Sequence, residues 1–554
     1  MGYHGGMECQ SRIVPTTPFE DQRPGTSGLR RKTRRFMQPH YVENFVQSIF
    51  DSVREEGTPD FCGETLVVGG DGRYHNREAI QSILKIAAAN GFGRILVGRG
   101  GLLSTPAMSA VIRRRGALGG ILLTASHNPG GAEADFGIKY NIRNGGPAPE
   151  GVTEGIYAHT RAIERFLTLE APGVDLDRER TLRLGGAEVA VIDPISDYVS
   201  VLGGLFDFDA LRGLFRNGFR LVFDAMHGVT GPYGRAILEG MLEAPEGTVI
   251  RGTPLEDFGG GHPDPDRRHA GDLFRRMSLP DSPDMGAACD GDGDRNMILG
   301  RGVFVSPGDS LAVIAEHAAG CIPGYRSGLR GVARSMPTST AVDRVARALG
   351  VPCHETPTGW KFFGNLMDSG RCTLCGEESF GTGSDHVREK DGIWAVLCWL
   401  SILAGGGASV GETLLGHWRR FGRSYFQRHD YAGLDAVEAG RMMADLGGRV
   451  PSLAGTRLAD AAVRDADDFS YTDPVDGSVS RNQGVRILLD DGSRIVGRLS
   501  GTGTEGATLR LYFERVRPEG GLPLDETLAP LVQAARGLLR IEERFGRTSP
   551  SVVT

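Results

Sequence analysis

The chain has 554 residues, 40% of them apolar and 24% charged, with 62 Lys and Arg against 69 Asp and Glu. That length exceeds one hydrophobic core and predicts about three to four domains, while the ordinary apolar and charged content excludes a disordered chain or a coiled coil. A net charge of -7 excludes the global basic field that draws in nucleic acid or acidic membranes, so an anionic ligand has to be held by local cations.

In chain order, residues 1–23 show no sustained periodicity and read as a loose end, as does the stretch after Arg547. The N-terminus has no apolar stretch of signal-peptide type and lacks the Ser or Thr of a myristoylation site, which predicts a cytoplasmic protein. Residues 65–68, 220–223 and 331–333 share one grammar: a short apolar run, a loop of glycine and polar residues, then a helical pattern. Each reads as a βα unit, which predicts an α/β fold with parallel, doubly wound sheets and ligands beyond the carboxyl ends of strands. Residues 121–123 lead as a strand into Ser126. Residues 285–289 lead into Asp290, and residues 297–299 follow as the next strand.

The longest apolar run, residues 393–404, falls far short of the ~20 residues that cross a bilayer and reads as a buried helix, with no membrane role. From about Gly422 the character changes, with strands at residues 485–489, 494–499 and 508–513 around the turn Asp490-Asp-Gly492, which predicts a separate α+β domain. No repeat of solenoid spacing is visible, although the three βα stretches leave room for distant structural copies. Eight cysteines without a disulfide framework predict a reducing compartment, and the lone Cys372 and Cys375 pair reads as two reduced thiols rather than a zinc site.

Two loops carry the strongest chemistry. In Asp290-Gly-Asp-Gly-Asp-Arg295 the carboxylates alternate with glycines, so in extended geometry they point one way and repel unless a cation compensates them. An EF-hand is excluded because its twelfth position is Arg301 and the flanks read as strands; a solvated acidic turn is the plain alternative. In Thr124-Ala-Ser-His-Asn-Pro-Gly130, adjacent residues rarely meet as nucleophile and base, so Ser126 and His127 do not read as a hydrolase pair. A phosphate-accepting serine at the loop apex fits, and a polar turn is its alternative. Together the two loops point to metal-assisted phosphoryl transfer.

Three further segments complete the pattern. Cys375-Gly-Glu-Glu-Ser-Phe-Gly381 sets two carboxylates and a hydroxyl between glycines, which suits sugar hydroxyls, or else a capped helix start. Arg388-Glu-Lys-Asp-Gly392 offers two cations and an acid able to ferry a hydroxyl proton, or a solvated charged turn. Arg498-Leu-Ser-Gly-Thr-Gly-Thr-Glu-Gly-Ala-Thr-Leu-Arg510 contains glycines at 501, 503 and 506, but a strand follows, so it is not a dinucleotide site. A nest of backbone N–H groups with Ser500, Thr502 and Thr504 hydroxyls and the Arg498 and Arg510 cations suits a phosphate monoester; a flexible hairpin is the alternative.

The order of these motifs resembles the α-D-phosphohexomutase superfamily over residues 25–513, and Gly25-Thr-Ser-Gly-Leu-Arg30, residues 124–141, Pro357-Thr-Gly-Trp-Lys-Phe-Phe363 and Arg388 to Gly392 are similar to its phosphoglucomutase branch. The resemblance implies four domains round a central cleft. Three are related α/β units, at residues 1–196, 197–309 and 310–422, and a smaller α+β domain at 423–554 closes on substrate. It implies a phosphoserine at Ser126 and Mg2+ held by Asp290, Asp292, Asp294 and a phosphoserine oxygen. Around the transferring group it implies His127, Arg30, Arg295, Lys139 and Lys390, with Lys390 or His127 managing the hydroxyl proton. Glu377 and Ser379 would hold the sugar beside Thr358 and Gly359. Thr26 and Ser27 would join the substrate contacts, and Arg498, Ser500, Gly501, Thr502, Thr504 and Arg510 would hold the phosphate that is not being transferred.

The activity implied is interconversion of glucose 1-phosphate and glucose 6-phosphate through a glucose 1,6-bisphosphate intermediate, which also primes the enzyme. The implied partners are small hexose phosphates, with no nucleic acid, membrane or obligatory protein partner. One departure is visible: the family often has Ser-Ala after Gly-Thr-Gly, where this chain has Thr504-Glu505, and Glu505 is expected to point to solvent. Mannose or N-acetylglucosamine phosphates are the alternative substrates. An inactive scaffold is disfavoured because Ser126, the three aspartates and Lys390 are all present.

Overall fold

The computed structural model describes residues 10–25, 27–500, 506–518 and 523–554. In the first sheet Thr65–Gly70 runs parallel to both Arg94–Leu102 and Gly119–Leu123, and the latter turns antiparallel onto Asp135–Ile142. The second sheet repeats the plan: Leu221–Asp224 is parallel to Val249–Ile250 and to Met285–Cys289, which is antiparallel to Asn296–Gly300. In the third, Val332–Ser335 is parallel to Cys353–Thr356 and Leu374–Gly376, and the last of these pairs antiparallel with Thr382–Ser384. The spatial order second-first-third-fourth thus recurs three times. These are the distant copies that the sequence left room for, recognisable only in topology.

The recurrence places the chemistry. In each unit the loop between the third and fourth strands carries one motif: Ser126, then Asp290 to Asp294, then Glu377 to Ser379. The third strands Gly119–Leu123, Met285–Cys289 and Leu374–Gly376 are buried at every residue, as expected of strands covered on both faces. Helix Gly392–Gly406 begins where the Asp391 side chain accepts from the Trp394 N–H and ends at Gly407 in the left-handed region. Its residues 392–403 are buried, with Trp394 and Trp399 at its centre, so the long apolar run is a core helix. Among the described residues no single helix is long and apolar enough to cross a membrane.

Helix Val410–Phe421 stops at Gly422, and Arg423–Leu434 opens a seven-stranded sheet that also contains Val485–Leu489, Arg494–Ser500 and Ala507–Arg517. Helices Ala436–Leu453 and Leu524–Leu539 contribute to the same apolar core, giving the α+β unit expected of the tail.

Both chain ends depart from expectation. Gln10–Pro15 pairs antiparallel with Arg165–Glu170, and the buried Gln22 side chain donates to the Tyr41 carbonyl at 2.6 Å. Val552–Val553 pairs with the strand Arg423–Leu434. These end strands bury little apolar surface, so they have no period to display, and each is held by backbone pairing with a segment more than a hundred residues away.

Candidate active site

Ser126 sits at φ 53°, a left-handed conformation costly for serine, and a buried clamp holds it there. The Thr124 hydroxyl accepts the Ser126 N–H at 2.7 Å and donates to Asp71 Oδ2 at 2.6 Å. Asp71 is bonded through both oxygens to Arg73, and the two side chains have no exposure. Arg73 Nη2 donates to the Ser126 carbonyl at 2.9 Å and Nη1 to the Asp135 carbonyl at 2.8 Å. The turned-out Ser126 Oγ donates to Asp290 Oδ2 at 2.9 Å, and His127 Nδ1 lies 3.4 Å from it. Burial, then Arg295 and Arg30, push the His127 pKa well below the usual histidine value, so the ring is neutral.

The acid loop folds round itself as the alternating glycines allow. Asp290 Oδ1 accepts the N–H groups of Asp294 and Arg295, both at 3.0 Å. Gly293 has φ 80°, and a Cβ there would lie 2.5 Å from Thr230 Cγ2, so only glycine fits. Asp292 Oδ2 accepts from the Thr105 hydroxyl at 2.6 Å, but Asp292 Oδ1 and Asp294 Oδ1 are buried without a hydrogen-bond partner. One oxygen from each aspartate lies within 4.8 Å of the others. Burial, then Asp292 and Asp294, push the Asp290 pKa well up. Orphaned carboxylate oxygens and crowded negative charge in a buried all-oxygen cluster fit a hard divalent cation.

Backbone bonds stitch this loop to all its neighbours: Thr105 N–H to Asp292 O at 2.9 Å, Val229 N–H to Gly291 O at 3.0 Å, Asn296 N–H to Phe380 O at 2.9 Å and Gly392 N–H to Gly293 O at 3.0 Å. Lys390 Nζ lies 3.0 Å from Asp294 Oδ2; burial alone would lower its pKa, but Asp294 and Glu377 outweigh burial and the lysine is cationic. Arg295 Nη1 donates to Asp264 Oδ1 at 3.0 Å. Arg30 is half-buried; desolvation lowers its pKa against the pull of Asp292 and Asp294, and its Nε has no hydrogen-bond partner. Lys139 is ion-paired with Glu389, which also accepts from Asn141 Nδ2 at 2.8 Å. Of the two cations in the Arg388 segment only Lys390 reaches the acid loop, because Arg388 turns to Asp368 at 2.6 Å and the Asp385 carbonyl at 2.7 Å.

On the third unit Glu377 is buried; Oε1 accepts the Gly359 N–H at 3.2 Å, and burial raises its pKa against the opposing Lys390 charge. Ser379 is half-buried on the same loop, whereas the neighbouring Glu378 accepts from Ser335 at 3.1 Å and Thr338 at 3.3 Å. Arg498 Nη1 donates to the Thr358 hydroxyl at 2.5 Å, joining the C-terminal sheet to this loop. Arg510 faces Arg498 across paired strands and lies 3.8 Å from Asp430, and Ser500 ends the Arg498 strand. Ser27 is exposed in the turn before Leu29–Lys32. Thr26, Gly501, Thr502, Thr504 and Glu505 lie outside the described residues.

Sequence reading missed Asp71, Arg73, Thr105 and Asp264, and within the recognised Arg388 segment it did not foresee Glu389 as the partner of Lys139. Asp71-Gly-Arg73 follows a strand end just as the recognised loops do, and that position was its available signal. Cys372 and Cys375 are both buried thiols, and no disulfide is present among the described residues.

Four family descriptions match consecutive segments of the chain: phosphoglucomutase/phosphomannomutase alpha/beta/alpha domain I over residues 21–166, domain II over 196–302 and domain III over 307–421, then phosphoglucomutase-1, C-terminal domain, over 423–551. A phosphoglucomutase of Rhizobium radiobacter is 55% identical over 98% of this chain and 100% of its own length. A cytoplasmic phosphoglucomutase of Populus tremula is 51% identical over 98% and 99% of the two chains. The crystal structure of the exocytosis-sensitive phosphoprotein parafusin, a phosphoglucomutase from Paramecium in its open form, superposes with a TM-score of 0.92 at 47% identity, covering 98% of this chain and 99% of that one.

Proposed function

The chain belongs to the phosphoglucomutases of the α-D-phosphohexomutase superfamily, and from that premise we propose how its own residues perform the phosphotransfer. It is an intramolecular phosphotransferase of the isomerase class that interconverts glucose 1-phosphate and glucose 6-phosphate. Ser126 carries the phosphoryl group, and the observation that bears most weight is its Oγ within 2.9 Å of the acid loop, at the meeting point of three sheets.

In the first half-reaction the Ser126 Oγ–P bond breaks as a sugar hydroxyl oxygen bonds to phosphorus, giving glucose 1,6-bisphosphate and the free serine. In the second half-reaction, after the bisphosphate has turned round, its other phosphate returns to Ser126. Lys390 is committed to Asp294 as an ion pair. Each half-reaction moves one proton from the attacking hydroxyl to the departing oxygen, and His127, 3.4 Å from Ser126 Oγ, is the side chain placed to give a proton to the serine oxygen as it leaves phosphorus and to take it back when the serine attacks. Lys390, Arg30 and Arg295 supply positive charge to the moving phosphoryl oxygens, which is the main demand of such a transfer.

Mg2+ is the cation we assign to Asp290, Asp292, Asp294 and a phosphoserine oxygen of Ser126, where it would neutralise phosphoryl charge. The unpartnered Asp292 Oδ1 and Asp294 Oδ1 support that assignment. Glu377 and Ser379 accept from sugar hydroxyls beside Thr358 and Gly359, while Arg498, Ser500 and Arg510 hold the other phosphate; because the sugar turns over, that subsite must take either end. Lys139, ion-paired with Glu389, is a further cation beside the transferring group. A trace of glucose 1,6-bisphosphate primes the serine, the division at residues 196, 309 and 422 assigns one loop to each unit, and the working compartment is the cytoplasm.

The deciding experiment is conversion of glucose 1-phosphate to glucose 6-phosphate with Mg2+ and bisphosphate, comparing the protein with Ser126→Ala. Turnover that needs Mg2+ and is lost in the variant supports the reading. No turnover by the folded parent overturns the glucose assignment.

A further inference from the structure

Upstream of the acid loop, Gly261-His-Pro-Asp-Pro-Asp-Arg-Arg-His269 doubles back so that one donor atom each from His262, Asp264 and His269 lies within 4.8 Å of the others. We propose that these three side chains form a second cation site, separate from the aspartate loop, for a borderline-soft divalent metal of the zinc class. Two imidazoles and one carboxylate are a zinc-type donor set that leaves a fourth position open, whereas Mg2+ prefers an all-oxygen shell.

Three observations carry the site. His269 Nδ1 lies 2.9 Å from Asp266 Oδ1, a carboxylate oxygen that also accepts the N–H groups of Arg268 and His269 at 2.9 and 2.8 Å. Asp266 therefore accepts the hydrogen bond of Nδ1–H and leaves the Nε2 lone pair free, the arrangement by which carboxylates orient metal-binding histidines. His262 Nδ1 is buried without any hydrogen-bond partner. The residues are half-buried, which leaves an entry path. The two rings stack with centroids 4.1 Å apart. Tetrahedral zinc needs donors about 3.3 Å apart, so binding draws the three side chains inward by about 1.5 Å at most and unstacks the rings.

Occupancy would be felt at the phosphotransfer site, because Asp264 is the carboxylate that holds Arg295, and the Pro263 carbonyl accepts the Gly291 N–H of the acid loop at 3.2 Å. A metal on Asp264 competes with Arg295 and inhibits. That consequence rests on the role given to Arg295 above; the binding itself does not.

The test is Zn2+ or Co2+ titration of the full chain in millimolar Mg2+, followed by calorimetry and by the visible absorption of bound Co2+. The expected result is one equivalent bound that Mg2+ does not displace, unchanged in Asp292→Asn. His269→Ala and Asp266→Asn, the latter keeping an acceptor for the local N–H groups, should each weaken it at least about tenfold. Zn2+ fully displaced by Mg2+, or bound equally by the parent and the Asp266→Asn and His269→Ala variants, overturns the proposal. If His269→Ala does not fold, Asp266→Asn alone decides it.

Discussion

Ser126 Oγ donates a 2.9 Å hydrogen bond to Asp290 Oδ2 across 164 residues of sequence. This contact makes the serine and the acid loop one site, so incubation with glucose 1,6-bisphosphate and Mg2+ should add a single phosphate to the parent, seen by intact mass. Ser126→Ala should take up none and lose roughly a thousandfold or more in kcat. A phosphorylated Ser126→Ala protein would place the acceptor elsewhere.

Arg73 fixes the serine backbone through a fork that lysine cannot reproduce, since it holds Asp71 with two nitrogens while reaching two carbonyls. Arg73→Lys is expected to lower kcat by about 10–100-fold, the scale of a small misplacement of a reacting group, with little change in KM. Steady-state kinetics on the folded variant read this split, and an unchanged kcat would show that the arginine fork does not position the serine.

Metal binding should register in stability as well as turnover. With Mg2+ at 100 times its dissociation constant, unfolding should cost about 2.7 kcal/mol more than in EDTA. Asp292→Asn converts a buried carboxylate whose Oδ1 has no hydrogen-bond partner into an amide and should erase most of that difference. Thermal unfolding with and without Mg2+ measures it; an equal Mg2+ gain in the variant would contradict the assignment.

The third unit and the C-terminal sheet meet at Glu514, which accepts from Arg494 Nε at 2.6 Å, Thr340 N–H at 2.8 Å and Ser424 at 2.9 Å. Burial pushes its pKa up, but Arg494 outweighs burial and the net shift is downward. Arg494→Met strands this buried carboxylate at a cost of about 3–5 kcal/mol. Calorimetry should show the transition of this part of the chain lowered by about 10 °C.

His429 packs against Phe513, and burial lowers its pKa from the ordinary 6.5 to about 4. As pH falls the unfolded chain binds this proton first, so the stability present above about pH 6.5 is progressively lost down to pH 4. The stability advantage of the parent over His429→Gln should therefore shrink by up to about 3 kcal/mol between pH 7 and pH 4. Denaturant unfolding at both pH values tests this, and a constant difference would show that the imidazole titrates normally.

The chain's local chemistry announces much of this. Residues 285–289 and 485–489 form strands at the bounds read from their apolar runs, and residues 393–404 lie inside one buried helix. Glycine alternation fixed the shape of the acid loop, because Gly293 alone tolerates its φ beside Thr230. Those features depend on neighbours within a few residues, so a sequence displays them directly.

Other features have no local signature. Gln10–Pro15 looks unstructured until Arg165–Glu170 pairs with it, and Lys139 gives no sign that Glu389 will neutralise it. The three-fold repetition of sheet order is equally silent, since different residues fill the same topology. By itself the sequence determined the composition of each loop, its place at a strand end and the order of the chemistry. Only the tertiary structure decided which loops meet and which charges are matched: a buried ion pair or hydrogen bond is set by proximity in space, and its two halves can be written anywhere along the chain.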